Sequence, residues 1–278
     1  MKIGIVGLGL IGGSVAKAIK NNTEHTVLGG DINIATVYKA RLLEAIDGEL
    51  TDEVLGECDM VIVALYPGSA AEFIEKNAAK FKKGAIVLDC AGVKRAVCER
   101  AWKTADENGF AFIGGHPMAG VEFSGFEHSR KGLFQNASMI LTPAPKTGIE
   151  VLEKIKELCI SIGFTNVVIS SPEEHDKMIA YTSQLAHVVS SAYVKSEQAL
   201  GHRGFSAGSY RDMTRVAKLN EDMWTELFML NRENLVTELE GLILRLEEYK
   251  DAIEEGHEEE IKRLLREGRE RKAAADAR

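Results

Sequence analysis

At 278 residues the chain is long enough for about two domains, and its 45% hydrophobic content supplies a sizeable core. Its 34 basic and 42 acidic residues leave a net charge of −8, which argues against nucleic acid or an anionic membrane surface as the main partner. Four cysteines (Cys58, Cys90, Cys98, Cys159) form neither a CxxC pair nor a disulfide framework, no apolar run approaches the ~20 residues of a membrane-spanning helix, and residue 3 already belongs to a strand, leaving no room for a signal peptide; a reducing, cytoplasmic setting is expected.

The first strand, Ile3-Gly4-Ile5-Val6, runs directly into Gly7-Leu8-Gly9-Leu10-Ile11-Gly12. In this pattern Gly7 permits a tight turn, Gly9 lets the backbone approach a pyrophosphate, and Gly12 lets the following helix pack close to the strand, with phosphates resting on the helix N-terminus. An amphipathic helix (Ile11, Val15, Ala18, Ile19) follows, and then a second strand, Thr26-Val27-Leu28-Gly29-Gly30, ends in Asp31. That acid stands nineteen residues after Gly12, placed to bind the adenosine ribose hydroxyls. Its carboxylate would repel a 2′-phosphate, and no arginine follows before Arg41, so NAD is favoured over NADP.

Short strand-like runs continue at Met60-Val61-Ile62-Val63-Ala64, Ala85-Ile86-Val87-Leu88-Asp89, Phe110-Ala111-Phe112-Ile113 and Ser138-Met139-Ile140-Leu141-Thr142, the first three separated by helical segments. This is the pattern of an α/β, doubly wound, Rossmann-like parallel sheet. A helix at 149–162 and a strand at 165–169 complete it. Ser171-Pro172-Glu173-Glu174 then reads as N-cap, N1 proline and capping acid, and almost everything beyond is helical. The expected division is a NAD-binding domain at 1–170 and an all-α substrate and dimerisation domain at 171–278. Within the latter a long helix is expected over 172–200, then a glycine-rich break (Gly201, Gly204, Gly208) and further helices; 258–274 reads as a solvated helix laced with i,i+4 ion pairs. Long helices with broad apolar faces need a partner to bury them, so a homodimer through this domain is expected.

Of seven histidines, His116 stands out, because Gly114-Gly115-His116-Pro117-Met118-Ala119-Gly120 follows the strand ending at Ile113. Side chains at the carboxyl ends of parallel strands face the ligand crevice of a doubly wound fold, and a histidine there can accept a proton near neutral pH. A loop histidine bonded to backbone is the alternative that these residues alone leave open.

The glycine loop, Asp89-Cys90-Ala91-Gly92-Val93-Lys94, Gly115-His116-Pro117-Met118-Ala119-Gly120, Glu174-His175-Asp176 with Ser183-Gln184-Leu185-Ala186-His187, and Tyr210-Arg211-Asp212-Met213-Thr214-Arg215-Val216-Ala217 through Trp224 occur in that order. In this the chain resembles the prephenate dehydrogenases over about residues 1–250. The resemblance implies NAD-dependent oxidative decarboxylation of prephenate to 4-hydroxyphenylpyruvate, on the route to tyrosine. Hydride leaves C4 of a cyclohexadiene ring, the C1 carboxylate departs as carbon dioxide, and aromatisation drives the reaction without a metal or covalent nucleophile. A base on the C4 hydroxyl and cations that orient a dianion are required. The resemblance assigns the base to His116 and the carboxylate grip to Arg215, whose guanidinium presents a bidentate fork; Arg211, one turn earlier, competes for that role. It also brings Ser183 and His187 to the substrate, with His187 near the pyruvyl side chain, makes Lys94 and Glu122 polar lining, and makes Trp224 an aromatic that closes the pocket. Some relatives carry a serine where this chain has Gly92, which instead lets the nicotinamide approach.

Three other readings remain. Arogenate dehydrogenase performs the same reaction on the aminated side chain. A β-hydroxyacid dehydrogenase would call for a catalytic lysine on the long helix, and neither Lys177 nor Lys195 sits in such a glycine-flanked pattern. A nucleotide-sensing binding protein would need neither His116 nor Arg215.

Overall fold

The structure, a computed structural model, describes residues 1–120 and 123–277. The chain forms two compact units, Met1–Asn231 and Arg232–Arg278. The first is built on an eight-stranded sheet of order β3-β2-β1-β4-β5-β6-β7-β8. Its strands are β1 (Lys2–Val6), β2 (Thr26–Gly30), β3 (Gly48–Glu49), β4 (Met60–Val63), β5 (Ile86–Asp89), β6 (Ala111–Pro117), β7 (Ser138–Pro143) and β8 (Asn166–Ile169). Between them run helices α1 (Leu10–Asn22), α2 (Ile34–Leu42), α3 (Asp52–Leu55), α4 (Pro67–Asn77), α5 (Arg95–Asn108) and α6 (Ile149–Ser161).

Strand alternation places the core on both faces of the sheet. Ile3, Ile5, Met60, Ile62, Ile86 and Leu88 pack with α1 and α6 on one side, and Val61, Val63 and Val87 pack with α4 and α5 on the other. Side chains of period two on a sheet covered on both faces are what a doubly wound fold requires.

Two details depart from the sequence expectation. Strands β6 and β7 pair antiparallel rather than parallel, with His116 opposite Ile140. Strand β6 also runs four residues past Ile113, so His116 stands within a strand rather than in the loop beyond one. Gly114 and Gly115 allow this: a Cβ on Gly114 would lie 2.1 Å from Thr142 Oγ1, and one on Gly115 would lie 2.5 Å from the Asp89 carbonyl oxygen.

Ser171 caps α7 (Pro172–Ile179), its Oγ accepting the Glu174 N–H at 3.1 Å. The long helix expected from there is interrupted. A π-helical segment, Ala180–Leu185, joins α7 to α8 (Ala186–Tyr193), and a 3₁₀ turn covers Glu197–Leu200. Single π-turns inside α-helices are frequent at functional sites. Helix α7 packs against α5 and β7, and α9 (Gly208–Thr214) and α10 (Glu221–Leu230) belong to the same unit.

The second unit is a pair of helices, α11 (Arg232–Glu254) and α12 (Glu258–Asp276). As expected, α12 carries ion pairs along its length, including Arg263 with Glu260 and Glu267, and Arg271 with Glu267. Among the described residues no helix is long and apolar enough to cross a membrane.

Candidate active site

Four residues shape the turn from β1 into α1. Gly7 has φ +85°, and a Cβ there would lie 2.5 Å from the Ala64 carbonyl oxygen; one on Gly12 would lie 1.9 Å from the Gly7 carbonyl oxygen. Neither position admits a side chain. Gly9, the N-cap of α1, has no side chain to cap the first turn, and a Cβ there would meet nothing within 4 Å. An open N-terminus of this kind fits a dinucleotide pyrophosphate. Asp31 lies against the turn, its Oδ2 accepting the Leu8 N–H at 2.8 Å and its Oδ1 the Asn33 N–H at 2.9 Å. A carboxylate has about four acceptor positions, so two remain for ribose hydroxyls. Of the other turn residues, Leu8 is fully buried, and Leu10 and Ile11 pack partly into the core. These three therefore offer the turn's surface more backbone than side chain.

The second group of residues gathers where β5 and β6 end. Asp89 is fully buried; its Oδ1 accepts the Gly115 N–H at 3.0 Å and its Oδ2 the Ala91 N–H at 2.9 Å. The Lys94 ammonium closes on Asp89 and donates to the Gly115 carbonyl at 2.6 Å. Lys94 has no exposed surface, so it does not line an open pocket as the sequence suggested. It fastens β6 beside His116 instead. Removing one partner of a buried ion pair strands the other charge, so Lys94→Met should destabilise the protein by about 3–5 kcal/mol. A urea midpoint lowered at unchanged slope is the expected observation.

His116 is half-buried, and its Nδ1 lies 2.8 Å from Nε2 of His175. His175 is buried, with its Nδ1 2.7 Å from Oδ1 of Asp176. The Asp176 carboxylate in turn accepts the backbone N–H groups of Lys94 at 2.7 Å and Arg95 at 2.9 Å, so it caps α5 from α7. Burial, then the neighbouring His175 and the Lys94 ammonium, push the His116 pKa well below the ordinary histidine value. Burial also lowers that of His175, against the opposing hydrogen bond to Asp176. Both rings are neutral at neutral pH.

A third group lies on the π-turn and the helices after it. His187 donates from Nδ1 to the Ser183 carbonyl at 2.8 Å, and Trp224 of α10 stacks on its ring at 3.9 Å between centroids. Burial lowers the His187 pKa, the bond to Ser183 opposes this, and the charge of Arg215 lowers it further. Ser183, His187, Trp224 and Arg215 are thus neighbours in one chain. Arg215 is the C-cap of α9 and is exposed, as is Arg211.

Helix α10 ties the groups together. Glu226 Oε1 accepts the Gly68 N–H at the start of α4 at 2.6 Å. Leu227 lies against Gly92, where a Cβ would sit 3.2 Å from its Cδ2, so a serine side chain at position 92 would press on Leu227. Asn231 donates from Nδ2 to the Asp176 carbonyl and to Gln184 Oε1, both at 2.8 Å, while Gln184 Nε2 donates to the Leu227 carbonyl at 3.1 Å. Helix α10 and its C-cap Asn231 thus touch Gly92, His187 and Asp176; Ser183 and Arg215 adjoin His187, while Lys94 and, through His175, His116 connect to Asp176. Glu122 lies outside the described residues. Sequence reasoning gave no role to His175, Asp176, Asn231 or Gln184. The pair His175-Asp176 reads in sequence as the polar first turn of a helix, and only its burial marks it. Cys90, beside the site, has its thiol pushed up by burial and is not activated.

Comparison with known proteins bears on the family and the fold. The profile of the prephenate dehydrogenase nucleotide-binding domain matches residues 15–168, and that of the prephenate dehydrogenase dimerization domain matches residues 171–267. The chain is 30% identical over 271 residues to a Bacillus subtilis prephenate dehydrogenase, covering 94% of this chain and 72% of that protein. The structure of an Aquifex aeolicus prephenate dehydrogenase in complex with hydroxyphenyl propionate and NAD+ superposes with a TM-score of 0.87 at 30% identity, covering 99% and 98% of the two chains. A Synechocystis arogenate dehydrogenase superposes at 0.83 with 28% identity, covering 99% and 100%. With matches across both halves, the chain belongs to the prephenate dehydrogenase family of NAD-dependent oxidoreductases.

Proposed function

We propose that this protein converts prephenate to 4-hydroxyphenylpyruvate and carbon dioxide, reducing NAD, with His116 as the base that takes the C4 hydroxyl proton. The observation that carries this is the state of His116: a neutral imidazole near the end of β6, held from behind through Nδ1, presents its other nitrogen as an acceptor. When bound on the glycine turn, the nicotinamide supplies the hydride acceptor. Gly7, Gly9 and Gly12 hold the pyrophosphate on α1 and Asp31 the adenosine ribose, while Gly92, with no side chain of its own, lets the nicotinamide approach. Arg215 grips a carboxylate of the substrate, Ser183 and His187 face its side chain, and Trp224 covers it. Glu122 remains a proposed lining residue.

The product-like hydroxyphenyl compound held by the Aquifex enzyme supports the substrate class. Arogenate is the alternative, since the two substrates share a ring and differ only at the side chain. Comparing kcat/KM for the two tests the choice: the reading expects prephenate to be preferred, and a clear preference for arogenate would reassign the substrate.

Charge next to the adenosine ribose sets the cofactor. NAD should give a higher kcat/KM than NADP, and Asp31→Ser should narrow the gap, because the carboxylate that repels a 2′-phosphate is gone. An equal or better kcat/KM with NADP in the unmodified protein would contradict the assignment.

The protein is further proposed to work as a cytoplasmic homodimer. Val236, Ile243, Leu246 and Ile253 of α11 are all more than two-fifths exposed and recur at spacings of seven, three and seven, an apolar stripe that a second copy would bury.

A further inference from the structure

The direction of each hydrogen bond behind His116 follows from its partners. An ionised carboxylate only accepts, and Asp176 already accepts two backbone N–H groups, so Nδ1 of His175 is the donor to it. Neutral His175 then carries its lone pair on Nε2, and His116 must donate to it from Nδ1. That leaves the lone pair of His116 on its Nε2. Reversing the bond at either end would put a proton on Nε2 and disable the base.

We infer that His175 and Asp176 are positioning residues which fix His116 in its proton-accepting tautomer and form with it a closed relay that holds one proton during turnover and returns it. This rests on the reading of His116 as the base for prephenate. The chemistry of the reaction asks for such a store. As hydride leaves C4 for the nicotinamide, the hydroxyl O–H bond breaks and an N–H bond forms on His116. When the bond from C1 to its carboxylate breaks, that electron pair completes the aromatic ring and carbon dioxide leaves. The product is a phenol, so its oxygen takes a proton back, and prephenate plus NAD+ gives 4-hydroxyphenylpyruvate, carbon dioxide and NADH with no proton left over. A base open to solvent through its rear would gain nothing. Here the rear is shut: His175 is 2% exposed and Asp176 1%, and the Lys94–Asp89 pair packed beside them is fully buried. Those are the charged groups that face the two rings. Asp176 and, more weakly, Asp89 favour a proton on the relay, and Lys94 opposes one.

Three variants test this, each assayed with NAD+ and prephenate beside the unmodified protein. Asp176→Asn removes the negative charge and one of the two acceptor oxygens, so the amide cannot accept from His175, Lys94 and Arg95 together and the direction of the two relay bonds is no longer fixed. The expected loss in kcat is about 10–100-fold, below the ~10⁴-fold seen where a carboxylate acts on the base directly, with KM for both ligands within about twofold. The acid limb of the kcat profile should move to lower pH, because the stronger of the groups favouring a protonated relay is gone. His175→Phe leaves the Asp176 cap on α5 intact, keeps the packing and should lose kcat similarly. His175→Gln should recover most of the rate, since one amide can accept from His116 through its oxygen and donate to Asp176 through its nitrogen. Phe and Gln variants that match each other in kcat, with an unmoved acid limb, would overturn the inference even if Asp176→Asn fails to fold. An unmodified protein with no turnover of prephenate would instead reject the reading beneath it.

Discussion

Replacing His116 with asparagine should lower kcat by about 10²–10⁴-fold while leaving KM for prephenate nearly unchanged. Asparagine keeps a polar contact of similar size but cannot accept the hydroxyl proton, so only the transition state loses an interaction. The same residue sets the pH dependence. Because burial, His175 and Lys94 push the His116 pKa well below the usual 6.5, the neutral, active form persists as pH falls through that value. The acid limb of kcat/KM should therefore lie below pH 6.5, and a limb at or above it would show that the ring is not the base. An asparagine variant with near-normal turnover would place the base elsewhere. His187 is the next candidate, because its Nδ1 is committed as well, in its case to the Ser183 carbonyl, and its other nitrogen is an acceptor.

Arg215→Ala should raise KM for prephenate by on the order of tens- to a few hundred-fold, with NAD affinity hardly changed, because a guanidinium gripping a carboxylate contributes charge-assisted hydrogen bonds. Arg211→Ala should do much less. The electrostatic influence of Arg215 on His187, which itself stacks on Trp224, sets Arg215 beside the proposed side-chain pocket. A large effect at Arg211 with none at Arg215 would exchange their roles. Running both variants with arogenate adds a second distinction: a grip on the ring carboxylate, which both substrates share, predicts equal losses for the two.

Much of this architecture is legible in the sequence. The glycine turn and Asp31 sit where spacing put them, and the Ser171-Pro172 start of α7 follows from local chemistry that tertiary packing does not override. What escaped depends on neighbours distant in the chain. Gly114 and Gly115 read as punctuation that ends a strand, yet they continue β6, because Thr142, Cys98 and Asp89 crowd the space a Cβ would take. Lys94 reads as a polar pocket residue, and only the fold shows its ammonium enclosed by Asp89 and the Gly115 carbonyl. The π-turn at Ala180–Leu185 has no local signature, since an amphipathic pattern accommodates it without a break in polarity. The two-residue β3 is too short for any period to register.

The most direct measurement is the stoichiometry of a single reaction mixture holding the protein, NAD+ and prephenate. If the site oxidises C4 and releases the C1 carboxylate in one turnover, NADH, carbon dioxide and 4-hydroxyphenylpyruvate must appear in equal amounts. NADH formed without carbon dioxide would mean plain alcohol oxidation, and no NADH at all would mean that His116 is not a base for this substrate; either result would contradict the account.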